Sequence, residues 1–142
     1  MHVLIIDAQG GGIGRQLVAA IRQTIPEAVI TAVGTNSVAT SAMRKAHDAA
    51  TGENAVVVAC RKADVIVGPI GIVIADSLLG EITPVMATAV GQSSAKRILI
   101  PFNHCDNLIA GVSNTSVSAL LQEAVSILRQ LADVRKEARI FS

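Results

Sequence analysis

Val3-Leu4-Ile5-Ile6 is an unbroken apolar run without alternation, the pattern of a strand buried on both faces of a parallel sheet. It stops at Asp7 and gives way to Gln9-Gly10-Gly11-Gly12-Ile13-Gly14-Arg15, after which Ile13, Leu17, Ala20 and Ile21 recur at helical spacing and Pro26 marks the exit. Residues 28–33 form a second β-rich run, closed by Gly34-Thr35-Asn36-Ser37. Strand, glycine turn, helix and strand in this order predict a βαβ unit with a right-handed crossover.

Further along, Asn36 or Ser37 can cap a helix reaching about residue 48. Residues 53–62 read as a short helix capped near Thr51. The alternative is a strand in an antiparallel hairpin, because too few residues separate this segment from the next strand for a parallel crossover. Val65-Ile66-Val67 is that next strand, running into a second glycine turn, Gly68-Pro69-Ile70-Gly71. Residues 72–79 predict an apolar helix closed by Gly80, and Thr83 with Pro84 begins another that stops at Gly91. Residues 97–100 are a strand and 108–112 an edge strand. Val117, Leu120, Leu121, Ala124, Val125, Leu128 and Leu131 form one face of a final helix, whose basic end suits the helix dipole. The whole pattern predicts a single domain over residues 1–142, a three-layer Rossmann-like α/β sandwich with a mostly parallel sheet of about five strands.

Composition narrows the function. Apolar residues make up 51% of the chain and charged residues 16%, with no Trp or Tyr and only Phe102 and Phe141, so the core is aliphatic. A net charge of +1 and the shortage of aromatics argue against a nucleic-acid partner. No membrane span is expected, because the most apolar stretch, 65–79, is interrupted by Gly68, Pro69, Gly71 and Asp76. The first residues lack the basic segment of a signal peptide, and Cys60 and Cys105 suit a reduced, cytoplasmic setting.

Ligands of open parallel sheets bind outside the carboxyl ends of the strands, where strand order reverses. That rule gathers Asp7, Gln9, Gly10, Gly11, Gly12, Ile13, Gly14 and Arg15 from the first turn. It adds Gly34, Thr35 and Asn36 from the second strand, Gly68, Pro69 and Gly71 from the third, and Asn103 and His104 from the fourth. The glycine turn would lay free amides and a helix dipole against a phosphate. Its plainer reading is that the glycines only let helix and strand pack closely.

Known motifs fit the turn imperfectly. The dinucleotide fingerprint G-x-G-x-x-G meets Arg15 at its last position when started at Gly10, and Gln9 at its first when ended at Gly14. The short-chain dehydrogenase pattern meets Ala8 in place of a glycine, and its catalytic Tyr has no counterpart in a chain without tyrosine. The deviant Walker pattern is echoed by Gly11-Gly12-Ile13-Gly14 without its lysines or its metal-binding hydroxyl. A flavodoxin-like FMN role is weakened by the missing stacking aromatics. Gly34-Thr35-Asn36 stands where a NAD-binding unit keeps a ribose-binding acid, which points to NADP or another nucleotide, with Arg15 as a partner for its phosphate. Asp7 is a candidate for holding a ribose hydroxyl, a metal or the turn's own amides. Adjacent His104 and Cys105 point apart on an extended segment, and His2, His47 and His104 lack metal-ligand spacing, so no metal and no catalytic residue is assigned.

The chain resembles an uncharacterised family of short bacterial proteins known as a domain of unknown function. The resemblance rests on 9–14, Val33-Gly34-Thr35-Asn36-Ser37, Thr51-Gly52-Glu53-Asn54, 64–71 and Gly80-Glu81-Ile82-Thr83-Pro84. It implies a cytoplasmic Rossmann-like protein and brings no activity with it. Two functional expectations stand: a protein binding a nucleotide, dinucleotide or other small phosphorylated ligand at 10–14, or a non-enzymatic subunit that forms a homo-oligomer or partner interface through the apolar 70–90 segment.

Overall fold

A computed structural model describes residues 1–102, 107–112 and 115–141. Five strands form one sheet: β1 (His2–Asp7), β2 (Val29–Gly34), β3 (Asp48–Thr51), β4 (Val65–Pro69) and β5 (Lys96–Ile100). Their order is β3-β2-β1-β4-β5 and every pair is parallel. The chain therefore winds outward from β1 to β3, returns across β1 to β4, and winds outward again to β5. The reversal falls between β1 and β4, the place where such sheets bind ligands.

Among the described residues five α-helices connect or follow these strands: α1 (Gly12–Thr24), α2 (Ser37–Ala42), α3 (Glu53–Lys62), α4 (Pro84–Gln92) and α5 (Val117–Ile140). Alternation along β1 divides the core into two layers. Val3 and Ile5 join Ile30, Val65, Val67 and Ile98 under α1 and α5, with Leu17, Ile21, Leu121, Val125 and Leu128 packed on them. Leu4 and Ile6 face the other way, with Val33 and Ile66, against Val56 and Cys60 of α3 and Met86 and Val90 of α4. The result is the expected three-layer Rossmann-like α/β arrangement with an aliphatic interior.

The structure corrects three element assignments. The helix after Asn36 ends at Ala42 instead of residue 48, and residues 48–51 are β3. All four β3 residues, Asp-Ala-Ala-Thr, are exposed, so this edge strand carries no apolar signature. It is held by its backbone ladder with β2, continued at either end by His47 N–H to Ile30 O and Gly52 N–H to Gly34 O. The 72–79 segment is not a helix. A 3₁₀ turn at Ile70–Val73 leads into a loop where Asp76, Leu78 and Leu79 take positive φ of 65°, 55° and 57°. That backbone exists because Ile72, Leu78 and Ile82 all bury into the α3/α4 layer, and Ser77 Oγ donates to Gly71 O to close the turn. Residues 108–112 are not an edge strand: a turn bonds Val112 N–H to Ile109 O, and Leu108 is 94% exposed. The helix at 53–62 is present, which removes the hairpin alternative.

Candidate functional site

A crevice of about 400 Å³ opens at the carboxyl ends of β1 and β4, at the reversal of strand order. Its floor is the glycine turn, with Asp7, Gln9, Gly10, Gly11, Gly12 and Ile13 lining it together with Ala8 and Gln16. Pro69 comes from β4, while Leu78, Phe102 and Val117 supply an apolar wall.

The turn is built by backbone geometry and one buried carboxylate. Gln9 (φ 53°) and Gly11 (φ 71°) are left-handed, and Gly11 N–H closes the turn on Ala8 O at 3.0 Å. Asp7 is 5% exposed and accepts from Ala8 N–H at 2.8 Å through Oδ1 and from Gly14 N–H at 2.7 Å through Oδ2. Burial raises its pKa from the ordinary carboxylate value; the two amides pull it down, and the charge on Glu81 adds to the rise. Asp7 thus holds the turn's own amides, the third of the roles the sequence allowed it. Among the described residues, the N–H groups of Gly12 and Ile13, the first two in α1, donate to nothing. The first N–H groups of a helix have no partner within it, and Gly12 and Ile13 both line the crevice.

The glycines separate into two kinds. A Cβ on Gly11 would lie 2.8 Å from the Ala39 backbone, and one on Gly14 would run into the Met43 side chain and 3.0 Å from Asp7 Cβ. Close packing explains these two. At Gly10 and Gly12 a Cβ would meet nothing within 4 Å, so the fold's interior asks for no glycine there. The structure also selects the register of the fingerprint. Gly11 and Gly14 take its second and third positions, and Gln9 stands at the first in the left-handed conformation that usually calls for glycine.

The remaining predicted residues fall into place unevenly. Gly34 and Gly68 pack internally, against Thr40 and against Ile6 O, and Gly71 sits against Ser77 and Leu78; none of the three lines the crevice. Arg15 is exposed on α1 and is likewise not part of the lining. Asn103 and His104, with Cys105, lie outside the described residues. Thr35 and Asn36 meet the turn indirectly, through Glu81, a residue the sequence reading missed.

Glu81 Oε1 accepts from Gln9 N–H at 3.0 Å, Thr35 Oγ1 at 2.7 Å and Asn36 Nδ2 at 2.7 Å. Asn36 also donates to Gln9 O and caps α2 through Ala39 N–H. Partial burial alone would raise the Glu81 pKa, but the three hydrogen bonds outweigh it and leave the carboxyl below its ordinary value. The sequence placed no acid at the end of the second strand; the fold brings one there from 46 residues away. Its signal was available, since Glu81 and Asp76 are the two acids between residues 65 and 100. Phe102 was missed too, having been counted only as one of two scarce aromatics; it now faces the crevice.

The expected 70–90 interface is largely satisfied inside the chain. Ile72, Ile82, Met86 and Val90 are buried in the α3/α4 layer, leaving Leu79 and Val85 exposed. Among the described residues no helix is long and apolar enough to cross a membrane, and no group of His, Cys, Asp and Glu is placed to hold a metal.

No curated protein sequence matches the chain. Among solved structures, it is similar to a dodecameric FMN-dependent UbiX-like decarboxylase from Escherichia coli O157:H7, at 18% identity and a TM-score of 0.47, over 89% of this chain and 75% of that one. The family model for a domain of unknown function, DUF3842, matches residues 2–133, and the chain, with its crevice at the end of β1, belongs to that family.

Proposed function

We propose that the crevice binds a phosphate-bearing nucleotide, its phosphate on the Gly12 and Ile13 amides and a ring against Leu78, Phe102 and Val117. The observation that carries this reading is the pair Gly10 and Gly12, which line the crevice where a Cβ would meet no protein atom within 4 Å. Glycine at such positions lets backbone and ligand approach closely. The free amides lie at a helix N-terminus, where the dipole favours an anion. A volume near 400 Å³ falls within the usual range for small-molecule sites.

A thermal-shift panel of NAD⁺, NADP⁺, FMN, ATP, GTP, S-adenosylmethionine and coenzyme A tests the reading. A ligand at roughly 100 times its Kd adds about 2.7 kcal/mol, a rise of several degrees for a chain of this length. Absence of a shift with every member of the panel refutes it. Self-association through 70–90 rests on the exposed Leu79 and Val85, and a monodisperse monomer in light scattering at high micromolar concentration would remove it.

A further inference from the structure

The Glu81 clasp lies beside the proposed phosphate site without taking part in it. Glu81 sits at the carboxyl end of β2, on the side of the glycine turn away from Pro69 and Phe102. Through Oε1 it grips the turn at Gln9, which itself lines the crevice. Among the described residues its other oxygen, Oε2, accepts no hydrogen bond.

The end of the second strand is where dinucleotide-binding units place an acid for the ribose hydroxyls, or a cation for a ribose phosphate. Here the acid arrives from the loop before α4 and stands behind the lining residue Gln9, and among the described residues no Lys or Arg lines the crevice. We infer that Glu81 is the ribose-recognising residue of a dinucleotide whose pyrophosphate lies on the glycine turn, with one nucleoside on the Phe102 side and the other on the Glu81 side, and that it selects free ribose hydroxyls over a 2′-phosphate. This rests on the nucleotide reading of the crevice and narrows it. Oε2 accepts a ribose hydroxyl, while the same negative charge repels a phosphate on that ribose.

Glu81→Gln separates recognition from structure. Its amide oxygen still accepts from Gln9, Thr35 and Asn36, so the clasp survives while the charge is lost. Titration calorimetry with NAD⁺ and NADP⁺ on the native chain should show NAD⁺ bound about tenfold tighter or more, the scale of one hydrogen bond to a charged group. Glu81→Gln should bring the two affinities close to parity while lowering Tm less than Glu81→Ala does, since only the charge of the clasp is lost. Glu81→Ala, which also removes the clasp, should lower Tm and lose the same discrimination. If the native chain binds both ligands equally, or if Glu81→Gln keeps the native preference, the Glu81 assignment is overturned while the nucleotide site stands. If neither ligand binds but another member of the panel does, the dinucleotide inference fails by itself. If nothing in the panel binds, the nucleotide reading falls and this inference with it.

Discussion

The division of the turn's glycines can be tested by a pair of substitutions one residue apart. Gly11→Ala forces a side chain into a φ of 71° and drives its Cβ to within 2.8 Å of the Ala39 backbone, which belongs to α2 and has no flexible end to yield. A left-handed L-residue costs roughly 1–2 kcal/mol, and overpacking a close contact adds about 1–3 kcal/mol. A loss of about 2–5 kcal/mol, or roughly 6–20 °C in Tm at 3–4 °C per kcal/mol, is the expected outcome. Gly12→Val puts its Cβ where no protein atom lies within 4 Å and replaces glycine in the first turn of a helix, where valine is the better helix former by a few tenths of a kcal/mol, so Tm should hold or rise slightly. Gly12 lines the crevice, however, so the added side chain should abolish the thermal shift produced by whichever panel nucleotide stabilises the native chain. Scanning calorimetry with and without that nucleotide reads both effects. The reasoning is refuted if Gly12→Val melts as early as Gly11→Ala, or if it binds the nucleotide as the native chain does.

Phe102→Ala should weaken nucleotide binding by about 1–3 kcal/mol, the scale of a base stacked on an aromatic ring, with calorimetric titration as the measurement. Asn36→Ala removes the α2 cap and one arm of the Glu81 clasp and should cost about 1–2 kcal/mol in urea unfolding. Because the folded Glu81 pKa is below its ordinary 4.5, the unfolded chain binds the extra proton between the two values. The stabilisation is therefore complete above about pH 5 and lost as pH falls through the folded value, and acid unfolding of Glu81→Gln should lack this component. Burial pushes the Cys60 thiol up to about 11, so site-resolved mass spectrometry should find it slow to alkylate at pH 8 until the chain is unfolded.

Local pattern carried much of the fold, and the reason is range. The β1 run, the glycine turn and the first turn of α1 are contiguous, so the forces that shape them act between near neighbours: a double-faced apolar strand, left-handed turn positions and a helix start. From those residues alone the α/β class and the crevice floor at Asp7 and 9–13 were legible. β3 was not, because an exposed edge strand of Asp, Ala and Thr takes its conformation from the ladder with β2 and not from its own side chains. The 72–79 segment looked helical because its apolar residues are dense, yet burying Ile72, Leu78 and Ile82 together required three left-handed residues that no propensity favours.

Only the tertiary structure decided which glycines serve packing and which leave space, since that depends on what the fold sets opposite each Cα. It also set Glu81 against Thr35 and Asn36, and Phe102 over the turn, by bringing separate strand ends to one edge of the sheet. The sequence by itself determined that a buried strand runs through a glycine turn into a helix. The acid bonded to that turn and the aromatic residue beside it were written far from it, and folding alone put them in reach.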